Sequence, residues 1–396
     1  MASQYSQNLF CVSSCNTQTC RILLTKLDII NPCRRIVKFP GKDMKGIPIK
    51  PDSLATINAH QFEFEFELID SESPLKSKCI SPYNKLLQSL TDCVNKEHLP
   101  LSILQEVPHK WERYGDLVLL PHNSFLSSDW CKCVDLWKAV KTALHCDRIA
   151  KNFPISNNEY RKSQAVMLLG QTGLVRHLEN GIVYCYDVTK CMFSSGNVTE
   201  KLRLSHIDCS NEVVVDLFAG IGYFTLTYLV YSKAKLVHAC EWNSDAVKSL
   251  EISLMENRVR DRCVIHAGDN RIVAPSGVAD RVNLGLIPSS ECSWETACKC
   301  LKPKGGTMVV HGNVNSILIE PRLLSVASCI KDKYSVKDVW CMWSEMVRHS
   351  FHDILSRIYP LSSWTVEAKH LEKIKSYAPH IDHLVVVLVC KPVDCH

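Results

Sequence analysis

From Val213 onward, short apolar runs alternate with stretches of helical spacing. The runs are VVVDLFA, LVHACEW, CVIHAGD, VNLGLIP, TMVVHGN, TVEAKH and HLVVVLVC. Runs this short and this rich in β-branched residues predict buried strands. Their alternation with helices predicts an α/β fold, a doubly wound seven-stranded Rossmann-like sheet with a mostly parallel core. Upstream, SPYNKLLQSLTDCVNKEH puts Leu86, Leu87, Leu90 and Cys93 on one helical face, and DLVLL at 116–120 reads as a strand. WCKCVDLWKAVKTAL reads as a further helix whose Trp130 and Trp137 belong to the core rather than to a ligand. Two strand-like runs flank Glu179-Asn180-Gly181, a hairpin signal, and Thr199-Glu200-Lys201 opens another helix. Before about residue 80 no period persists, so either a small domain or a loosely ordered extension fits. The expected division is 1–80 for that N-terminal part, 81–205 for a smaller α+β domain, and 206–396 for the Rossmann-like domain.

Composition bounds the function classes. The chain has 396 residues, of which 46% are hydrophobic and 22% charged, enough for a real core in two or three domains. A net charge of +5 suits a polyanionic partner without requiring one. The 21 cysteines form no regular framework and no C-x-x-C pair, which points to a reducing, cytoplasmic compartment. Cys11, Cys15 and Cys20, then Cys131 and Cys133, then Cys292, Cys298 and Cys300 are the groups to check for metal, but none has zinc-knuckle spacing, and no metal is expected. MASQYSQNLFCVSSC is a poor secretory signal, although its serine content and lack of acids leave an organellar alternative. No apolar run approaches the roughly 20 residues that span a bilayer, so a soluble protein without a membrane partner is expected.

The chemistry concentrates at strand ends. In open α/β sheets ligands bind beyond the carboxyl ends of the strands, where strand order reverses. The first strand ends at Asp216, followed by a tight turn through Gly220 and Gly222. That turn lacks the third glycine of a dinucleotide fingerprint, and by itself it fits a plain strand-to-helix turn equally well. The next strands end in Glu241, placed to accept from ribose hydroxyls, and in Asp269-Asn270, placed to read an adenine edge. Each acidic residue alone also fits a helix N-cap. Three in register repel a pyrophosphate and suit a ligand with ribose, adenine and positive charge. S-adenosyl-L-methionine is such a ligand.

The segments DLFAGIGYFTL, HACEWN, IHAGDNR, LGLIPSSE and KSYAPHIDHLVVVL, with VPHKWERYGDLVLLP upstream, resemble the tRNA guanine-N1 methyltransferase superfamily from about residue 100 to 396. The resemblance is strongest to its aminocarboxypropyl-transferring branch in wybutosine formation. It implies a methyltransferase fold and S-adenosyl-L-methionine as co-substrate. It implies transfer of the 3-amino-3-carboxypropyl group to 4-demethylwyosine, 3′ of the anticodon of tRNA(Phe), with methylthioadenosine released. The methyltransferase relatives carry an Asn-Leu-Pro type motif after the fourth strand; this chain has Leu284-Gly285-Leu286-Ile287-Pro288-Ser289-Ser290, with glycine in place of the asparagine. By resemblance, Ser194 and Lys201 hold the methionine arm, Glu200 accepts a proton near the base, and Pro288, Ser289 and Ser290 lie on the substrate side. Arg34, Arg35, Lys38, Lys42, Arg161, Lys162, Lys369, Lys373 and Lys375 are available to tRNA phosphates or to solvent. A monomer is expected, with other enzymes of the pathway as further candidate partners. A guanine-N1 methyltransferase and a non-catalytic S-adenosylmethionine- and tRNA-binding scaffold are the competing readings.

Overall fold

The computed structural model describes residues 8–62, 64–71, 73, 80–153, 163–193, 195–326 and 334–393. The chain forms two compact units, Met1–Asn84 and Lys85–His396. In the first, an antiparallel sheet runs in the order Val37–Lys38, Met44–Pro48, Asn8–Ser13, Glu67–Asp70, with helices Thr17–Lys26 and Leu54–Ala59. Phe10, Leu24, Ile47 and Ile57 are buried together at its centre, and Phe66 stacks on Phe10 with centroids 4.3 Å apart.

The second unit opens with a mixed sheet of four strands, Glu112–Tyr114, Leu117–Leu120, Arg148–Lys151 and Val166–Leu169. The helix expected through Trp130 and Trp137 is instead two pieces. A 3-10 turn, Ser128–Lys132, carries Trp130, and the α-helix Leu136–Leu144 carries Trp137. Ser127 caps the turn by accepting from Asp129 N, and the chain then restarts after Asp135. Both indoles still pack on Phe125, with centroids 5.1 and 5.5 Å away. The hairpin Leu174–Glu179 with Ile182–Asp187 follows. Its two-residue turn needs positive φ at both positions, which Asn180 (47°) and Gly181 (74°) supply.

The large sheet contains β1 (Val213–Asp216), β2 (Leu236–Glu241), β3 (Cys263–Ala267), β4 (Arg281–Leu284), β5 (Gly306–Asn315), β6 (Ser363–Ala378) and β7 (Ile381–Val393). Their spatial order is β3-β2-β1-β4-β5-β7-β6, with β1 to β5 parallel and β7 antiparallel to both neighbours. The helices are α1 (Val198–Ser205), α2 (Thr225–Val230), α3 (Ser244–Glu256), α4 (Asn270–Val273), α5 (Trp294–Cys300) and α6 (Val336–Ile358). Alternate strand residues feed two cores. Val214, Val237 and Ala239 pack with Leu226, Leu250 and Leu254, whereas Val215, Cys240 and Val282 pack with Trp294, Val347 and Phe351. Burial on both faces explains the unbroken apolar runs. This is the Rossmann-like methyltransferase architecture. Helices do not separate all seven strands: β6 and β7 form a long hairpin that turns at Pro379-His380, with His380 at φ 63°. Strand order reverses between β1 and β4, so a crevice opens over their carboxyl ends.

Candidate active site

The crevice is a cleft of about 860 Å³, within the range that encloses a small cofactor. Gly220 and Glu241 line it from the β1 and β2 ends, Asp269 and Asn270 from the β3 end, and Pro288 and Ser289 from the loop after β4. Those six of the expected site residues come together. The backbone of Gly220 and Gly222 is left-handed, with φ 56° and 100°. A Cβ at Gly222 would stand 2.9 Å from Leu250 Cδ1 and 3.0 Å from Leu226 Cγ, so this glycine lets the turn settle onto α2 and α3.

Glu241 builds the turn as well as facing the ligand space. One carboxylate oxygen accepts from Gly220 N at 2.8 Å and the other from Asn243 N at 2.8 Å. Burial raises its pKa against the backbone bonds from Asn243, Gly220 and Trp242. A carboxylate has about four lone-pair sites, and Glu241 lines the cleft, so capacity beyond its backbone bonds is open to hydroxyls there. Asp269 caps α4, accepting from Arg271 N at 2.9 Å, and the Arg271 guanidinium lowers its pKa. The amide of Asn270 is held at both ends. It donates to Leu217 O at 3.0 Å and accepts from Ser293 Oγ at 2.8 Å, which leaves the backbone edge of 269–270 for a ligand.

Asp216, Gly222, Ser290, Glu200 and Lys201 stand behind the cleft wall rather than on it. Asp216 is fully buried, accepting from Thr225 Oγ1 at 2.7 Å and from Asn283 Nδ2 at 3.0 Å, so it ties β1, α2 and β4 together beneath the glycine turn. Ser290 accepts from Trp294 Nε1 at 3.2 Å. Glu200 is also fully buried, and Arg203 grips it at 2.8 and 2.6 Å; burial raises its pKa against that pairing. The expected role for Glu200 beside the base does not match this placement, because its carboxylate is held by Arg203 and faces no ligand space. The Lys201 ammonium pairs with Glu179 and lies over the rings of Tyr184 and Phe193 at 4.7 and 4.9 Å. Ser194 lies outside the described residues, as do Arg161 and Lys162.

Sequence reasoning missed the side of the cleft built by the β6–β7 hairpin. Lys375, Tyr377 and His383 line it there, opposite Phe193, Gly196 and Asn197. Lys375 lies where a side chain at Gly196 would begin, and its ammonium makes no hydrogen bond or ion pair among the described residues. Burial lowers its pKa. Lys369 and Lys373, by contrast, are paired with Glu367 and Asp382. Among the described residues no cluster of three or more metal-ligating side chains is present, and no helix is long and apolar enough to cross a membrane.

Residues 175–336 match the TRM5/TYW2 methyltransferase domain, and residues 90–173 match the TYW2 N-terminal domain. The tRNA wybutosine-synthesizing protein 2 homolog of Danio rerio is 43% identical, over 83% of this chain and 83% of that one. The chain belongs to the tRNA wybutosine-synthesizing protein 2 family. The tRNA wybutosine-synthesizing protein 2/3/4 of Arabidopsis thaliana is 44% identical over 88% of this chain, which spans only 33% of the length of that plant protein. The crystal structure of P. horikoshii TYW2 in complex with MeSAdo superposes with a TM-score of 0.56 and 27% identity, covering 77% of this chain and 99% of that one. The cleft sits at the strand-order switch of this chain's β3-β2-β1-β4-β5-β7-β6 sheet.

Proposed function

We propose that the chain transfers the 3-amino-3-carboxypropyl group of S-adenosyl-L-methionine to 4-demethylwyosine in the anticodon region of tRNA(Phe), releasing methylthioadenosine. The observation that carries this reading is Gly285. It lines the cleft where the methyltransferases that this sequence resembles carry an asparagine, and a Cβ there would stand 2.9 Å from Phe224 Cε2. The phenyl ring occupies the space in which a side-chain amide would start. A site without that amide loses the polar group placed beside a target guanine. The family name and the MeSAdo held by the P. horikoshii relative agree with side-chain transfer.

In this reading Glu241 accepts from the ribose hydroxyls and the backbone of 269–270 meets the adenine. The Lys375 ammonium, without a hydrogen bond or ion pair among the described residues, is the anchor for the methionine carboxylate by a charge-assisted bond. Lys201 lies over Phe193 and Tyr223 and serves the same arm by exchanging Glu179 for the ligand. The sulfonium activates three carbons, and the one attacked is the one held in line about 3 to 3.5 Å from the nucleophile. Turning the methionine arm toward Pro288 and Ser289 selects the γ-carbon. An anticodon-loop base is single-stranded and enters such a pocket more cheaply than a paired one. The chain works in a reducing, cytosolic setting that keeps its cysteines free. The test is the mass of tRNA(Phe) bearing 4-demethylwyosine after incubation with protein and S-adenosyl-L-methionine. A gain of one aminocarboxypropyl group is expected; a gain of one methyl group would favour guanine-N1 methylation, and no gain would favour a binding scaffold.

A further inference from the structure

Two buried histidines join the cleft to a second cavity. In the β5–β7 pairing His311 stands opposite Val385 and His383 opposite Asn313, so the two imidazoles are diagonal neighbours on one face. His311 Nδ1 and His383 Nε2 are 3.0 Å apart and share one proton. The outer nitrogens, His311 Nε2 and His383 Nδ1, are buried with no hydrogen-bond partner among the described residues. His383 lines the large cleft, whereas His311 lines a cavity of about 30 Å³ that Asn313, with its own unpartnered Oδ1, also lines. A polar cavity of that size holds a water molecule. Buried polar atoms without partners are uncommon and costly, and three of them belong to residues that line these two cavities.

We propose that His383 and His311 form a two-imidazole proton relay that takes the proton lost by the carbon nucleophile and delivers it to the small cavity. This rests on the side-chain transfer reading. As the ring carbon of the base bonds to the γ-carbon, the C–S bond breaks and its electron pair leaves with methylthioadenosine. The alkylated base then carries one positive charge and a proton to lose at that carbon. The lone pair of His383 Nδ1 takes the proton, and the C–H electrons restore the ring. The proton on His383 Nε2 moves to His311 Nδ1, and His311 releases its Nε2 proton to water. The pair begins and ends neutral.

The surroundings keep it neutral between turnovers. Burial and then Lys375, which faces His383 across the β6–β7 ladder, pull His383 down to about 4. Burial, His383 and Arg203 of α1 pull His311 well below its usual value. Arg203 is itself paired with Glu200, and Asp382, beside His383, is held by Lys373. Phe224 of the β1–α2 turn covers His311 with centroids 5.0 Å apart. So weak a base suffices, because the alkylated cationic ring is a strong acid. A carboxylate bound at Lys375 offsets that ammonium, so the relay gains basicity once the co-substrate is in place.

The test is single-turnover release of tritium from the reacting ring carbon of 4-demethylwyosine in tRNA(Phe), read beside methylthioadenosine formation, with S-adenosyl-L-methionine and the full chain. His383→Ala is expected to slow release by roughly 10²-fold, the lower range for a lost general base, with unchanged S-adenosyl-L-methionine affinity and partial rescue by added imidazole. His311→Gln keeps a group facing His383 but ends the relay, and is expected to lose less. A His383→Ala variant as fast as wild type, or slow without imidazole rescue, overturns the relay and leaves the transfer reading standing. Wild type that releases no methylthioadenosine removes the transfer reading and the relay with it. If His383→Ala does not fold, nitrogen-15 shifts of the wild-type imidazoles decide. Neutral rings sharing a proton at about pH 6 are expected, and a ring fixed as imidazolium overturns the proposal.

Discussion

Glu241 shows how one carboxylate can hold a turn and still line a cleft. Its bonds from Gly220 N and Asn243 N hold the glycine turn, and the residue lines the cleft. Glu241→Ala is expected to weaken S-adenosyl-L-methionine binding by about 1 to 3 kcal/mol, the usual loss when a charged hydrogen-bond partner is removed; calorimetric titration of the folded variant checks it, and unchanged affinity would count against the site as drawn. The two lysines separate in the same experiment. Lys375→Ala removes an ammonium with no partner among the described residues, so it should weaken co-substrate binding at little cost in stability. Lys201→Ala strands Glu179 in a partly buried site and should lower the melting temperature as well. A Lys375→Ala variant that binds normally, with loss confined to Lys201→Ala, would return the carboxylate to Lys201.

At the scale of elements, the strand-turn-helix unit from β1 to α2 depends on close packing as much as on its hydrogen bonds. Gly222→Ala puts a methyl group against Leu250 and Leu226 at a left-handed φ, and an overpacking cost of about 1 to 3 kcal/mol is expected in denaturant unfolding. Gly285→Asn meets the Phe224 ring in the same way and should lower stability without creating methylation, read from tRNA mass. The seven strands and the turn at Asn180-Gly181 were legible because period, β-branching and turn chemistry are local signals. Glu241, Asp269 and Asn270 were legible as cleft residues because the topology puts the strand ends there. The N-terminal sheet was not legible, since its second strand has two residues and cannot set up a period. Nor was the hairpin wall of the cleft: Lys375 and His383 come from the far edge of the sheet, and only the β5-β7-β6 pairing brings them to Gly196 and Pro288. Glu200 was expected beside the base by resemblance, and its burial against Arg203 depends on tertiary packing.

For the whole molecule, the buried imidazoles link stability to pH. Unfolded histidines bind a proton from about pH 6.5, whereas folded His383 takes one only at about 4. Between those values unfolding takes up protons, so stability falls as pH drops through that window and is regained as pH rises. A His383→Asn variant should show a shallower loss between about pH 6.5 and pH 4 in denaturant unfolding; an unchanged slope would mean that the ring is protonated in the folded chain. The central claim is that this Rossmann-like cleft presents the γ-carbon, not the methyl group, of S-adenosyl-L-methionine to a tRNA base. Mass analysis of the small molecule released on incubation with S-adenosyl-L-methionine and tRNA(Phe) bearing 4-demethylwyosine tests it most directly. Methylthioadenosine is the predicted product, and S-adenosylhomocysteine would contradict the account and the role given to Gly285.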